Sequence, residues 1–285
     1  MKTQCPEKKF NKNYVKNAST YNLSFETKPF VKWVGGKRSI LNILLRKVPE
    51  NYIKYNEPFL GGGALFFALR PKEAYLSDIN LHLIITYKTV RDDIDKLINN
   101  LKRYQKLISK EFYFRLRDRL TNEKDPTKIA SIFITLNKLC YNGLYRVNKS
   151  GKFNVPYGKY ENPRLFNQNI LKNDSEVLRE IELANHPFWQ TPISKKNFYY
   201  LDPPYYNAYS NYDESNFQRE DHERLAEYCN KINQSKAYFM LSNSDDKLIR
   251  SLYSKYRIER VEAPRSVSCK SNQRTRCPEL IIRNY

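Results

Sequence analysis

The sequence predicts an α/β protein: a doubly wound, mostly parallel sheet, split by an inserted helical region. Three observations predict it. Strand-like runs alternate with helical stripes near both ends of the chain, with a long helical stretch between them. The 8 glycines fall between Gly35 and Gly158, and three are consecutive, Gly61-Gly62-Gly63, directly after a strand-like run. A second apolar run, residues 198–201, ends in Asp202-Pro203-Pro204-Tyr205.

The elements follow in order. Residues 1–27 form a polar arm with no apolar stretch of signal-peptide type. Ile40, Leu41, Leu44, Leu45 and Val48 place a helical stripe on 37–48. Residues 52–56 read as a short strand, 57–63 as a turn, 64–69 as a short helix and 74–77 as a second strand ending at Asp78. This is the β-turn-α-β unit of a doubly wound sheet. From 80 to 140 the pattern is helical: Ile94, Leu97, Ile98 and Leu101 keep the spacing, as do Ile129, Ile132, Phe133, Leu136 and Leu139. Residues 141–160, rich in Asn, Gly, Lys and Tyr, read as a hairpin or an ordered loop. Strands resume at 198–201, 236–242, 256–263 and 279–283, separated by helices over 220–232 and 245–253. The expected organisation is an arm (1–27), a sheet domain in two pieces (28–90 and 191–285) and an insertion (91–190).

The 285 residues carry 50 Lys and Arg against 30 Asp and Glu, a net charge of +20. That excess favours a polyanionic partner, nucleic acid being the commonest. It is concentrated: 265–276 holds four cations and no acid, and 138–164 holds six against Glu161 alone. Such a distribution exceeds a general lysine bias. No apolar run approaches the ~20 residues needed to cross a bilayer. The five cysteines form no C-x-x-C pair and the three histidines are scattered, so neither a disulfide framework nor a metal site is expected. A cytoplasmic protein is expected.

Three glycine-marked places carry chemistry. The turn Glu57-Pro58-Phe59-Leu60-Gly61-Gly62-Gly63 offers backbone N–H groups and a helix N-terminus to a ligand, and Asp78 is placed to accept ribose hydroxyls. Alone it fits a nicotinamide cofactor, S-adenosyl-L-methionine (SAM) or a tight βα turn. In Lys32-Trp33-Val34-Gly35-Gly36-Lys37, Trp33 could pack beside an adenosyl ligand and Lys37 could reach its carboxylate or carbonyl oxygens. Their ordinary roles are a core tryptophan and a surface lysine.

The Asp202–Tyr205 cluster decides between cofactors. Hydride transfer has no use for it, whereas an exocyclic base amine does. Asp202 and a Pro203 carbonyl would accept the amino hydrogens and localise the nitrogen lone pair for attack on a sulfonium methyl, with Tyr205 stacked on the base. Pro203 and Pro204 stiffen the cluster and remove backbone donors. A base in duplex DNA would have to be flipped out, at about a few kcal/mol.

With these motifs the sequence resembles the Dam-type (DNA adenine methylase) family of N6-adenine DNA methyltransferases. FVKWVGGK at 30–37 is similar to that family's N-terminal SAM motif, EPFLGGGALF at 57–66 to its glycine-rich motif, Ser77-Asp78-Ile79-Asn80 to its ribose step and YYLDPPY at 199–205 to its catalytic motif. The resemblance covers about 28–285. It implies the SAM-dependent methyltransferase fold with an inserted helical target-recognition domain. It implies cofactor contacts from Trp33, Lys37, Glu57, Phe59, Gly61, Gly62, Gly63, Asp78 and Asp202. Residues 141–158 resemble the family's recognition hairpin. There Arg146 would read a guanine, Leu144 and Pro156 would touch thymine methyl surfaces, and Tyr141 and Asn142 would wedge beside the flipped adenine. Asn154 would contact DNA from the same hairpin, Lys32 an outer guanine, and Arg265 and Ser266 the phosphates from a basic loop. The stretch 184–194, ANHPFWQTPIS, matches no part of the family pattern, although a polar residue near the cofactor's adenine is expected just before the catalytic strand.

The expectation is therefore a SAM-dependent, adenine-specific DNA methyltransferase acting on duplex DNA within GATC, a monomer, with a paired restriction endonuclease left open. N4-cytosine methylation, RNA methylation and a catalytically silent DNA-binding protein of the same fold are the alternatives, since Asp202–Tyr205 does not itself choose adenine.

Overall fold

The computed structural model describes residues 26–206, 217–264 and 276–285. The strands are β1 (Tyr55–Glu57), β2 (Ala74–Asp78), β3 (Glu182–Asn185), β4 (Phe198–Leu201), β5 (Tyr238–Ser244), β6 (Arg257–Pro264) and β7 (Arg276–Arg283). They form one sheet in the order β3-β2-β1-β4-β5-β7-β6. Pairing is parallel from β3 through β5, and β7 runs antiparallel between β5 and β6. The chain moves outward from β1 to β3 and returns at β4, so the topological switch point lies between β1 and β4.

The first helical segment differs from the expected continuous helix over 37–48. A 3-10 turn, Lys37–Ser39, is followed by α1 (Leu41–Leu45), because Ile40 leaves helical geometry at φ −112°, ψ 8°. The tight turn accompanies a Lys37 side chain directed inward, only 4% exposed. After β1, α2 (Ala64–Leu69) starts at Gly63, whose φ is +64°. A Cβ there would sit 2.9 Å from the Tyr87 hydroxyl.

The helices α3 (Leu81–Asp92), α4 (Ile94–Gln105), α5 (Lys110–Leu120), α6 (Pro126–Leu139) and α7 (Gln168–Leu178) occupy the expected helical region. α6 is capped by Asp125, which accepts the Thr127 and Lys128 N–H groups, and Pro126 sits in its first turn, where its missing N–H costs nothing. Its interior is apolar nearly all round. Ser131 and Thr135 are buried there because each hydroxyl donates to the carbonyl four residues back. One apolar cluster runs without a break from Leu76, Phe198 and Tyr200 of the sheet to Leu97, Phe133 and Leu171 of these helices. A second cluster, on Tyr199, Leu201, Phe239 and Leu241, packs under α8 (Arg219–Gln234) and α9 (Lys247–Leu252).

β3 is the element the sequence pattern hides. Its residues fall within the expected insertion 91–190, yet it pairs with β2 from Tyr75↔Glu182 to Asp78↔Asn185. Only Leu183 of its four residues is buried, so no apolar run announces it.

Gly63→Ala is expected to lower stability by about 1–2 kcal/mol from the left-handed backbone alone, before any displacement of Tyr87. A urea midpoint unchanged from the parent protein would contradict this.

Candidate active site

Three neighbouring strands deliver three acids to one edge. Glu57 ends β1, Asp78 ends β2 and Asp202 follows β4. This is the carboxyl edge beside the switch point, where open parallel sheets bind ligands.

Each acid is held differently. The Asp78 carboxylate accepts the Gly61 N–H (3.0 Å) and the Asn80 N–H (2.9 Å). Burial raises its pKa and these amides oppose the rise. Asp78 thereby pins the glycine turn while each oxygen keeps lone-pair capacity. Glu57 is buried and accepts the Tyr55 hydroxyl at 2.8 Å. Burial, reinforced by the charges of Asp202 and Asp78, holds its pKa well above the carboxylate range. Asp202 lies 2.9 Å from Lys37 Nζ. Burial pushes its pKa up to about 6, against the pull of Lys37.

The Lys37 ammonium is shared. It donates to the Gly35 carbonyl at 2.7 Å and stands 4.7 Å from the centre of the Tyr205 ring. The proline cluster itself is gripped from outside, because Pro203 and Pro204 have no N–H to tie it down. The Tyr206 N–H donates to Asn243 Oδ1 (3.2 Å), its carbonyl accepts Ser244 Oγ (2.7 Å), and the Tyr205 hydroxyl donates to Glu279 Oε2 (2.9 Å). Asn243, Ser244 and Glu279 were not found from sequence. The one available signal was a polar run, Ser242-Asn243-Ser244-Asp245, closing an apolar strand.

The segment around Trp33 joins this edge to the 141–158 hairpin. A Cβ on Gly61 would lie 2.6 Å from Trp33 Cδ1, so the indole occupies the glycine turn's missing side-chain space. The same indole stacks on Tyr145, with centroids 6.0 Å apart. Lys32 is clamped at both backbone groups by Asn137 of α6: its N–H donates to Asn137 Oδ1 (2.7 Å) and its carbonyl accepts Asn137 Nδ2 (2.8 Å). Its ammonium sits 4.2 Å from the Tyr160 ring centre and donates to the Lys138 carbonyl. Its stem packs on Gly143.

The hairpin is irregular, held by bridges Cys140↔Tyr157 and Val147↔Phe153. Arg146 Nε donates to Asn154 Oδ1 at 2.8 Å, so the two side chains form a unit across it. Tyr141, Asn142 and Pro156 are exposed, and Leu144 is half-buried. Lys32 thus packs against the start of the hairpin at Gly143. Arg265 and Ser266 lie outside the described residues.

The unmatched stretch 184–194 also finds its place. Asn185 ends β3 beside Asp78 and donates from Nδ2 to the carbonyls of Asp78 (2.9 Å) and Ile79 (3.0 Å). Phe188 stacks on Phe59, centroids 5.2 Å apart. Ile79, 73% exposed, stands next to Asp78. A polar side chain with apolar neighbours at this edge suits a heterocycle.

A doubly wound sheet with this order, a reversed β7 beside β5 and acids at the ends of β1, β2 and β4 defines the methyltransferase class of α/β enzymes. The D12 class N6 adenine-specific DNA methyltransferase family matches residues 33–267. The chain is 39% identical to the type II methyltransferase M.MjaIII of Methanocaldococcus jannaschii, over 91% of this chain and 100% of that protein. It is 36% identical to M1.LlaDCHI of Lactococcus lactis subsp. cremoris, over 90% and 95%. It is 28% identical to the DNA adenine methylase of Escherichia coli K12, also over 90% and 95%. The protein belongs to the D12 class N6 adenine-specific DNA methyltransferases. It is a DNA methyltransferase specific for adenine, and among the described residues no helix is long and apolar enough to cross a membrane.

Methyl transfer should fall as pH drops through about 6, where Asp202 gains its proton. Lys37→Met removes a charge that lowers the Asp202 pKa, so the acid limb of kcat/KM should move to higher pH. An unmoved limb would show that the profile reports another group.

Proposed function

We propose that this chain transfers a methyl group from S-adenosylmethionine to N6 of an adenine flipped out of duplex DNA, within GATC. The observation that carries the reading is that the Asp202–Tyr205 cluster and the Gly61–Gly63 turn held by Asp78 stand at one carboxyl edge of the sheet, where Lys37 meets Asp202. The chain's own residues fit the donor. Glu57, Asp78 and Asp202 gather at one edge and Lys37 pairs with Asp202, an arrangement that leaves net negative charge and favours a cationic ligand. Gly61 and Gly62 let the Trp33 side chain lie against the backbone of the turn. Asp78 would accept ribose hydroxyls, Asn185 would take the adenine edge through its carbonyl oxygen, and Ile79, Phe59 and Phe188 would supply apolar contact. Trp33 and Lys37 complete the wall. Bound there, SAM would supply an electrophilic sulfonium methyl group.

Asp202 and the Pro203 carbonyl would accept the two N6 hydrogens and direct the nitrogen lone pair away from the ring. Asp202, or water, would take the N6 proton released when the nitrogen is methylated. Tyr205, with its ring fixed at hydroxyl and face, would stack on the extruded base. On the hairpin face, Arg146 steadied by Asn154 would read a guanine in the major groove and Lys32 an outer guanine. Leu144 and Pro156 would meet thymine methyls, and Tyr141 with Asn142 would fill the space beside the flipped base. Arg265 and Ser266 would bind phosphate. The expected division into an arm (1–27), a split catalytic domain (28–90 and 191–285) and a recognition insertion (91–190) goes with this reading, with β3 placed on the catalytic side. A paired restriction endonuclease is proposed from the type II relatives.

Duplex DNA treated with the protein and SAM should resist a nuclease that cuts only unmethylated GATC, and its hydrolysate should contain N6-methyladenine. Complete cleavage would overturn the target; N6-methyladenine at another sequence would overturn only GATC. Arg146→Ala should lose about 1–3 kcal/mol of discrimination at one guanine, read from competing single-substituted duplexes.

SAM binding should also release protons, since burial raises the Glu57 pKa and a cation beside it favours its ionised form. Calorimetry in buffers of different ionisation enthalpy measures the release, and Glu57→Gln should reduce it. Equal heats in all buffers would contradict the charge argument.

A further inference from the structure

We propose that Glu279, on the reversed strand β7, is a positioning residue for methyl transfer: it fixes the Tyr205 ring at the face where the base stacks and supplies the negative charge against which Lys37 balances Asp202. This rests on the reading of Asp202–Tyr205 as the transfer site.

The two prolines create the need. Residues 203 and 204 contribute no backbone donor, so the loop after β4 is not tied down at the prolines by N–H groups. The strand next to β4 holds part of it: Asn243 and Ser244 of β5 take the Tyr206 N–H and carbonyl. Those contacts fix the main chain beyond the cluster and leave the Tyr205 side chain free to rotate. Among the described residues the ring has two polar holds. One is the Lys37 ammonium at its face, 4.7 Å from the centre. The other is the bond from its hydroxyl to Glu279 Oε2, 2.9 Å long. The ammonium constrains distance, whereas the hydroxyl bond constrains the direction of the ring's long axis.

Glu279 is placed for this by the sheet. It pairs with Ser244 across the β5–β7 ladder, level with the end of β5 that grips Tyr206. Two strands therefore act on consecutive residues of the same loop. A bond from a phenol to a carboxylate is charge-assisted and stronger than a neutral one.

The charged and titratable groups facing Asp202 come from several elements. Lys37 lies in the 3-10 turn, Glu57 on β1, Tyr200 on β4, Tyr205 in the loop and Glu279 on β7. Burial and Glu279 raise the pKa of Asp202 while Lys37 lowers it. Glu279 thus makes Asp202 a better proton acceptor while orienting its aromatic neighbour.

The experiment uses the full chain with SAM and a GATC duplex carrying 2-aminopurine at the target adenine, alongside an unlabelled duplex for rates. Glu279→Ala should lower kcat by roughly 10- to 100-fold, the scale of one lost charge-assisted hydrogen bond, with KM for SAM within about two-fold. Tyr205→Phe should cost a similar factor, and the double variant no more than the larger single effect. Glu279→Gln keeps an acceptor for the hydroxyl. It should recover most of kcat yet move the acid limb of kcat/KM to lower pH, because the charge that raises the Asp202 pKa is gone. The flipped 2-aminopurine should show higher fluorescence with Glu279→Ala than with the parent, as stacking on Tyr205 loosens.

Unchanged kcat in Glu279→Ala, additive losses in the double variant, or an unmoved acid limb in Glu279→Gln would each overturn the proposal. Should the alanine variant not fold, the glutamine and phenylalanine variants still decide it. A parent protein that methylates no adenine would instead sink the underlying reading, an outcome seen before any variant is made.

Discussion

Three carboxylates can share one edge of the sheet only because their charge is divided among unlike partners. Asp78 spends its charge on two backbone amides. Glu57 is pressed towards its neutral form by burial and by its neighbours. Asp202 keeps a lysine at 2.9 Å. Remove any of these arrangements and the edge becomes a cluster of like charges in a low-dielectric cleft, which is costly. The rest follows from that division. The glycine turn is where it is because Asp78 holds Gly61, the first helix breaks at Ile40 where Lys37 turns inward, and the proline cluster sits against the same lysine.

The segment 30–37 connects the parts that must act together. Within six residues, Lys32 docks on α6 and the hairpin, Trp33 spans the glycine turn and Tyr145, and Lys37 meets Asp202. The Asn137 clamp takes both backbone groups of Lys32, as a neighbouring strand would, so a segment outside the sheet is held with similar firmness. The hairpin and the carboxyl edge are therefore joined through one packed segment.

Much of this was legible beforehand, for reasons of pattern strength. The turn 57–63 and helix 64–69 were legible because apolar periodicity and consecutive glycines coincide there. The strand before Asp202 stood out through its apolar run and prolines. β3 was hidden because an edge strand with one buried residue has no period to detect. Asn185, Asn243 and Glu279 were hidden for a different reason: they act at strand ends on residues far away in sequence, and nothing local distinguishes them. Asn137 was invisible in the same way, a polar residue inside an apolar helix pattern. Glycine and proline announce themselves because their constraint is in the backbone; hydrogen-bond partners announce themselves only once the chain is folded.

Trp33 filling the space over Gly61 has a consequence for how such enzymes can change. The same indole stacks on Tyr145, so the hairpin is not an exchangeable cassette. A hairpin transplanted from a relative would bring a new surface against the indole, and the indole would carry that misfit into the turn beneath it. Change at the hairpin is then accommodated by small substitutions at the exposed tip, or by exchanging hairpin and tryptophan segment as one unit.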